Sequence, residues 1–98
     1  MKELLPIGSI VELDHTRIPS MIVGYYPLDP QSQCVRDYLA VNCTFGFGTS
    51  VDMLMFDRKE IHTVRFSGYQ DTQAQWFLTE LEKMKLTERN CDRNREGV

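Results

Sequence analysis

His62 follows closely on Asp57 and Glu60, and a histidine beside a carboxylate is the pair that general acid–base catalysis uses. The two carboxylates have a sufficient local role, however. Asp57 with Glu60 three positions on is an N-cap with its capping-box partner, so they read as the start of a helical turn and not as catalysts. Cys43 acts as a nucleophile only with an activating base. Between Asn42 and Thr44, on a strand-like stretch, it reads as a small core residue. His15 sits in a polar turn and reads as solvated. Gly46 and Gly48 form a G-x-G, but no third glycine follows at dinucleotide spacing and no P-loop lysine is present. Cys34, Cys43 and Cys91 are odd in number, widely spaced and without a CxxC pair. That suits neither a disulfide framework nor a zinc site, and points to thiols in a reducing compartment. No catalytic residue, metal ligand or cofactor is therefore expected.

Two further classes are bounded by charge and composition. Arg58, Lys59, Arg65 and Arg89 could line up as a basic strip, but a solvated face is the simpler reading. A formal charge of -3 argues against a general nucleic-acid binder, which needs a basic face to displace phosphate counterions. Hydrophobic content of 42% suits a globular chain, and 98 residues make one domain. The N-terminus carries Glu3 and breaks at Pro6 and Gly8, unlike a secretory signal. No apolar run approaches the roughly 20 residues that a membrane helix needs. A cytoplasmic protein is expected.

What stands out is apolar. Tyr25, Tyr26, Phe45, Phe47, Met53, Leu54 and Met55 exceed what loops and edges normally carry. Methionine and aromatic residues are favoured at interaction surfaces, and glycine on either side of Phe47 leaves its ring poorly shielded. Two readings stand: a hairpin whose rings fold back into the core, and a partner-binding surface formed by Phe45, Phe47, Met53, Met55 and Tyr25.

The elements that position these residues are organised around residues 57–69. After the capped turn, His62, Val64 and Phe66 alternate with Thr63, Arg65 and Ser67, the period of a half-buried strand. Val64 and Phe66 are expected to face the core, and Thr63 and Arg65 water. Gly68 is expected to turn the chain through positive φ, and Asp71 to cap a helix over about residues 72–87. Ala74, Phe77, Leu78, Leu81 and Met84 follow the i, i+3, i+4, i+7 rule. A helix of that length is marginal alone and must dock; Phe77 and Leu81 are expected to lie beside Val64 and Phe66.

Upstream, strands are expected over about residues 9–14 and 20–26. Gly24 marks a bulge or close backbone approach in the second. The prolines at 27 and 30 make residues 27–33 a loop. A third strand spans about residues 36–44, with Leu39, Val41 and Cys43 as its buried set, and residues 51–56 supply a fourth. The fold expected is α+β: a small antiparallel sheet or half-open barrel of four to five strands with one C-terminal helix. One domain covers residues 1–88, and the polar stretch 89–98 is expected to be flexible.

At this point the chain resembles the family known as domain of unknown function 4176, small bacterial proteins. Their opening Leu-Pro-Ile-Gly-Ser is matched by residues 5–9, and their Met-Ile-x-Gly strand by Met21, Ile22 and Gly24. Their Tyr-centred strand is matched by Asp37 to Val41. Phe56, Ile61, Val64, Phe66, Gly68 and Tyr69 match the closing Phe-x-x-x-x-Ile and Val-x-Phe-x-Gly-Tyr elements. The likeness runs over about residues 4–81. It departs at Tyr25, where members often carry a basic residue, and at residues 43–46, where they have Pro-x-Gly. The resemblance implies no catalytic residues. It implies an association with type VII secretion loci, and so a cytoplasmic accessory, adaptor or chaperone with a protein partner such as a secretion substrate.

The expected function is a non-enzymatic protein-binding accessory. The alternative is a small ligand-binding domain or enzyme of unknown chemistry, which a polar pocket holding His62 and a carboxylate would favour. No nucleic acid and no membrane partner is expected.

Overall fold

Alternating and continuous apolar runs in the first two-thirds of the chain fold into one antiparallel sheet. The computed structural model describes residues 4–48 and 53–85. The strands are β1 (Ile10–Leu13), β2 (Thr16–Tyr25), β5 (Tyr38–Asn42), β6 (Leu54–Phe56) and β7 (Ile61–Phe66), in the order β6-β5-β2-β1-β7. The sheet is open, with β6 and β7 at its edges. Helix α1 (Thr72–Lys85) follows. The expected α+β architecture is therefore present. A second sheet was not foreseen: β3 (Leu28–Asp29), inside the stretch expected to be loop, pairs with β4 (Cys34–Val35) just after it. The expected strand at residues 51–56 begins, among the described residues, at Leu54. Residues 49–52 and 86–98, which include Cys91 and the polar stretch 89–98, lie outside the described residues.

Register explains which side chains meet. Along β5 the buried set includes Tyr38 and Ala40, the reverse of the expected alternation, with Val41 also buried. Sequence patterning favours the more apolar set, but a tyrosine can occupy a core if its hydroxyl is satisfied. Here the Leu5 N–H donates to the Tyr38 hydroxyl at 2.9 Å. Gly24 does mark a bulge: Ile22 lies opposite Ala40 and Gly24 opposite Leu39, so Val23 is the extra residue. That slip returns Tyr25 to the core face, opposite Tyr38.

A second bulge overturns the expectation for Phe66. Val11 pairs with Val64 and Ile10 with Phe66, so Arg65 is inserted between them. Because side chains alternate across a strand, one extra residue sends Phe66 to the opposite face from Val64. Val64 packs on the core, whereas Phe66 is 59% exposed.

The core lies between the sheet, α1 and the lead-in segment. Val11, Leu13, Ile22, Tyr38, Ala40 and Phe56 meet Leu4, Leu5, Leu78 and Leu81. The helix stripe is rotated from expectation. Leu78 and Leu81 are buried, while Phe77 is 47% exposed and rests against the Tyr25 ring at 6.2 Å between centroids. Two polar contacts set that rotation: the Tyr26 hydroxyl donates to the Leu81 carbonyl at 2.8 Å, and Glu82 accepts from the Leu4 N–H at 2.9 Å. Tyr26 sits at a φ of 55°, uncommon for a bulky residue and strained. Burial, with Glu82 nearby, pushes its hydroxyl pKa up to about 12.

Asp71 caps α1 as expected, its carboxylate accepting from the Ala74 N–H at 2.8 Å. Asp71→Ala is expected to cost about 1 kcal/mol, within roughly 0.5–2. A urea melt with an unchanged midpoint would count against this boundary. Cys34 is buried and disulfide-bonded, so the reading of three thiols does not hold for it. Cys43 is a free thiol.

Candidate protein-binding surface

The turn after β5 is built by Asn42. Its side-chain oxygen accepts from the Thr44 N–H at 2.8 Å and the Phe45 N–H at 3.3 Å. Its carbonyl accepts from the Gly46 N–H at 2.7 Å. This is an Asx turn, in which a short amide side chain stands in for backbone. Gly46, at a φ of 71°, takes a conformation that few side-chain-bearing residues adopt. The turn is therefore held by its own hydrogen bonds, and its rings are not needed to fix it. Phe45 is 73% and Phe47 71% exposed, so the reading that folds them into the core is set aside.

The five residues singled out for partner binding do not form one patch. Met53 and Met55 are half-buried, and Met55 lies opposite Leu39. Tyr25 lies at the other end of the sheet, since Tyr25 faces Tyr38 whereas Ser20 faces Asn42. Its ring packs on Tyr38 and Phe77, and its hydroxyl donates to the Leu5 carbonyl. Burial raises the Tyr25 hydroxyl pKa well above the ordinary range.

Tyr25 instead lines an apolar groove of about 340 Å³, with Pro6, Ile7, Tyr69, Phe77 and Leu78 among its walls. Sequence reasoning missed this groove because it placed Phe77 in the core. A second, more polar cavity of about 430 Å³ is lined by Leu4, Gln70, Gln75, Leu78, Thr79 and Glu82.

The suggestive charged residues are dispersed. His62 Nδ1 lies 3.5 Å from Asp14 Oδ1, and both groups are exposed. His15 Nδ1 lies 3.9 Å from Glu60 Oε1. His62 lines neither cavity. Glu60 completes its capping box by accepting from the Asp57 N–H at 2.9 Å. Among the described residues, no group of histidines, cysteines and carboxylates is placed to hold a metal ion.

Asp57 serves in a clasp that local sequence could not reveal. Its carboxylate accepts from Arg36 Nη1 and from the Asp37 N–H, both at 3.1 Å. Asp37 reciprocates, accepting from the Arg58 N–H at 2.8 Å and Arg58 Nε at 3.4 Å. Arg58 also reaches Glu82 on α1. Burial opposes the charge on both arginines, but the facing carboxylates outweigh it and raise their pKa values. Neither a basic strip nor the expected solvated face holds for Arg58, which is internal; Arg65 is exposed but paired with Glu12, and Arg89 lies outside the described residues. The only hint in the sequence is a reversed pair of dipeptides, Arg36-Asp37 and Asp57-Arg58, and nothing local says that they meet.

A family described as Domain of unknown function (DUF4176) matches residues 4–77. That span holds the whole sheet and the first part of α1. No curated protein and no solved structure matches the chain.

Proposed function

The chain belongs to the DUF4176 domain family, and from that premise we propose that it is a non-enzymatic protein-binding accessory, an adaptor or chaperone of bacterial type VII toxin secretion. The observation that carries the reading is the pair Phe45 and Phe47, held out on a self-supported turn. Burying a phenylalanine ring is worth about 1.5–3 kcal/mol, so two exposed rings on a fixed turn are anchors for a partner. Its class is a protein, such as a secretion substrate. The expected working place is the cytoplasm. The apolar groove beside Tyr25 and Phe77 favours a second reading, a small-ligand site.

Phe47→Ser separates these readings. It should weaken capture of the partner by roughly thirtyfold, since one anchor is commonly worth about 2 kcal/mol. The thermal midpoint should stay near that of the parent because the ring is exposed. A pull-down from host lysate paired with a melt provides both measurements. Unchanged capture would remove the turn from the interface, and a lower midpoint would return the ring to the core.

A further inference from the structure

The two cavities adjoin. Leu78 lines both, and the same three segments wall each of them. The lead-in gives Leu4 to the polar cavity, and Pro6 and Ile7 to the apolar groove. The connection before α1 gives Gln70 to the first and Tyr69 to the second. Helix α1 gives Gln75, Thr79 and Glu82 on one side of Leu78, and Ala74 and Phe77 on the other. The result is one cleft with an aromatic half of about 340 Å³ and a polar half of about 430 Å³. The hydroxyls of the aromatic half are already engaged. Tyr25 donates to the Leu5 carbonyl, and Tyr69 donates to Asp71 Oδ2 at 3.3 Å. What that half offers a ligand is apolar and aromatic surface.

The backbone beside the cleft is strained in a way that keeps it open. Successive side chains of a strand point to opposite faces. Yet Tyr25 and Tyr26 both face α1, where Tyr25 meets the Phe77 ring and Tyr26 the Leu81 carbonyl. The φ of 55° at Tyr26 makes that possible. Strain of this kind persists where the surroundings enforce it, and it concentrates at ligand clamps and other functional sites. Here it holds α1 in the rotation that puts Phe77 on the wall of the groove instead of in the core.

We propose that the cleft binds an extended, uncharged peptide segment, with an aromatic side chain in the groove and the adjoining peptide groups on Gln70 and Gln75. Two matches favour this occupant. The first is charge. Among the described residues, Glu82 is the one acidic or basic side chain lining either half. Its oxygens already accept from the Leu4 N–H and from Arg58. A charged group entering the cleft would lose water and gain no counter-charge, whereas a neutral segment avoids that cost. The second match is hydrogen-bonding type. Gln70 and Gln75 are exposed, and each side-chain amide carries both donors and an acceptor. A peptide group presents the same pair in return. A free apolar molecule would fill the groove and leave both amides to water. The proposal rests on the groove being a binding site and deepens that reading by naming what enters it. It does not depend on the Phe47 turn, which lies at the other end of the sheet.

Chemical-shift titration of the isotope-labelled full chain with three probes tests this. The probes are toluene, N-acetylphenylalanine N-methylamide and the lysine analogue of that amide. The phenylalanine amide should shift Tyr69, Gln70, Gln75 and Phe77 with a Kd of about 1 mM, the strength of a single small anchor. Toluene should bind about tenfold more weakly and shift the groove residues alone, because it forgoes the hydrogen bonds. The lysine amide should cause no shifts at about 5 mM. Replacing both glutamines, Gln70→Ala with Gln75→Ala, should weaken the phenylalanine amide about tenfold and leave toluene unchanged. A general loss of fold would not produce that split. Tyr69→Ala should weaken both probes, and Phe47→Ser neither. Toluene that binds as tightly as the phenylalanine amide keeps the groove as a site but overturns the peptide. So does a lysine amide that binds as tightly, or a double glutamine variant that binds the phenylalanine amide like the parent. If neither toluene nor the phenylalanine amide shifts the groove residues at about 5 mM, the groove reading and the peptide fall together.

Discussion

Replacing Asp57 with alanine is expected to cost about 3–5 kcal/mol, several times the roughly 1 kcal/mol of a lost N-cap. Asp57 is almost fully buried. Its two oxygens are occupied by Arg36 Nη1 and the Asp37 N–H, each at 3.1 Å. Truncation leaves a buried backbone donor without its acceptor and a largely buried guanidinium with Asp29, 3.7 Å from its Nε, as its remaining close carboxylate, and under-compensating a buried charge is what makes such deletions costly. The damage also spreads, because Asp37 positions Arg58 and Arg58 reaches Glu82 on α1. Glu60→Ala is the control. It removes the other half of the capping box, at the Asp57 N–H, and leaves the clasp in place, so its cost should be about 1 kcal/mol or less. Urea denaturation of the two variants decides between the roles. If Asp57→Ala costs no more than Glu60→Ala, capping is all that Asp57 does.

The clasp shows where sequence reading stops. Element type was legible because period and capping are local: the strand after residue 60, the Asp71 cap and the long helix all followed from neighbours in the chain. Facing was less legible because it depends on register, and one inserted residue reverses it. The Arg65 bulge moved Phe66 off the core face, and the Val23 bulge moved Tyr25 onto it. Neither insertion leaves a mark in hydrophobic periodicity, although Gly24 did hint at the second. Tyr38 was misplaced for a different reason: its suitability for the core depends on the Leu5 N–H, which lies far away in sequence. Of the candidate surface, the exposed rings of Phe45 and Phe47 could be suspected from the flanking glycines. The groove at Tyr25 and Phe77 required the helix rotation that Tyr26 and Glu82 impose.

Gly68→Ala is expected to be the most damaging single-methyl change in the described chain. Positive φ is not the reason, contrary to the sequence expectation: among the described residues the positive-φ glycines are Gly8 and Gly46. The reason is contact. A Cβ on Gly68 would lie 2.2 Å from the Ile7 carbonyl oxygen, 2.8 Å from the Ser9 nitrogen and 2.9 Å from the Gly8 carbonyl carbon. All three are backbone atoms, so no side chain can swing aside. The backbone there is also pinned. The Gly8 N–H donates to the Ile22 carbonyl at 2.8 Å, and the Ile22 N–H donates to the Ser9 carbonyl at 2.8 Å. The Gly68 N–H itself donates to the buried Ser9 hydroxyl at 2.9 Å. Relief therefore means parting the end of β7 from the lead-in segment, which also carries Leu4 and Leu5 into the core. The cost should reach or exceed the upper end of the roughly 1–3 kcal/mol typical of overpacking. In a domain of this size that lowers the thermal midpoint by about 12 °C or more, at about 4 °C or more per kcal/mol. Gly48→Ala supplies the contrast, because no atom of the described residues lies within 4 Å of its Cβ position, and its effect should stay within about 0.5 kcal/mol. Should Gly68→Ala melt as close to the parent as Gly48→Ala does, the lead-in and β7 do not approach as closely as described, and the Ser9–Gly68 junction is not what joins the two ends of the fold.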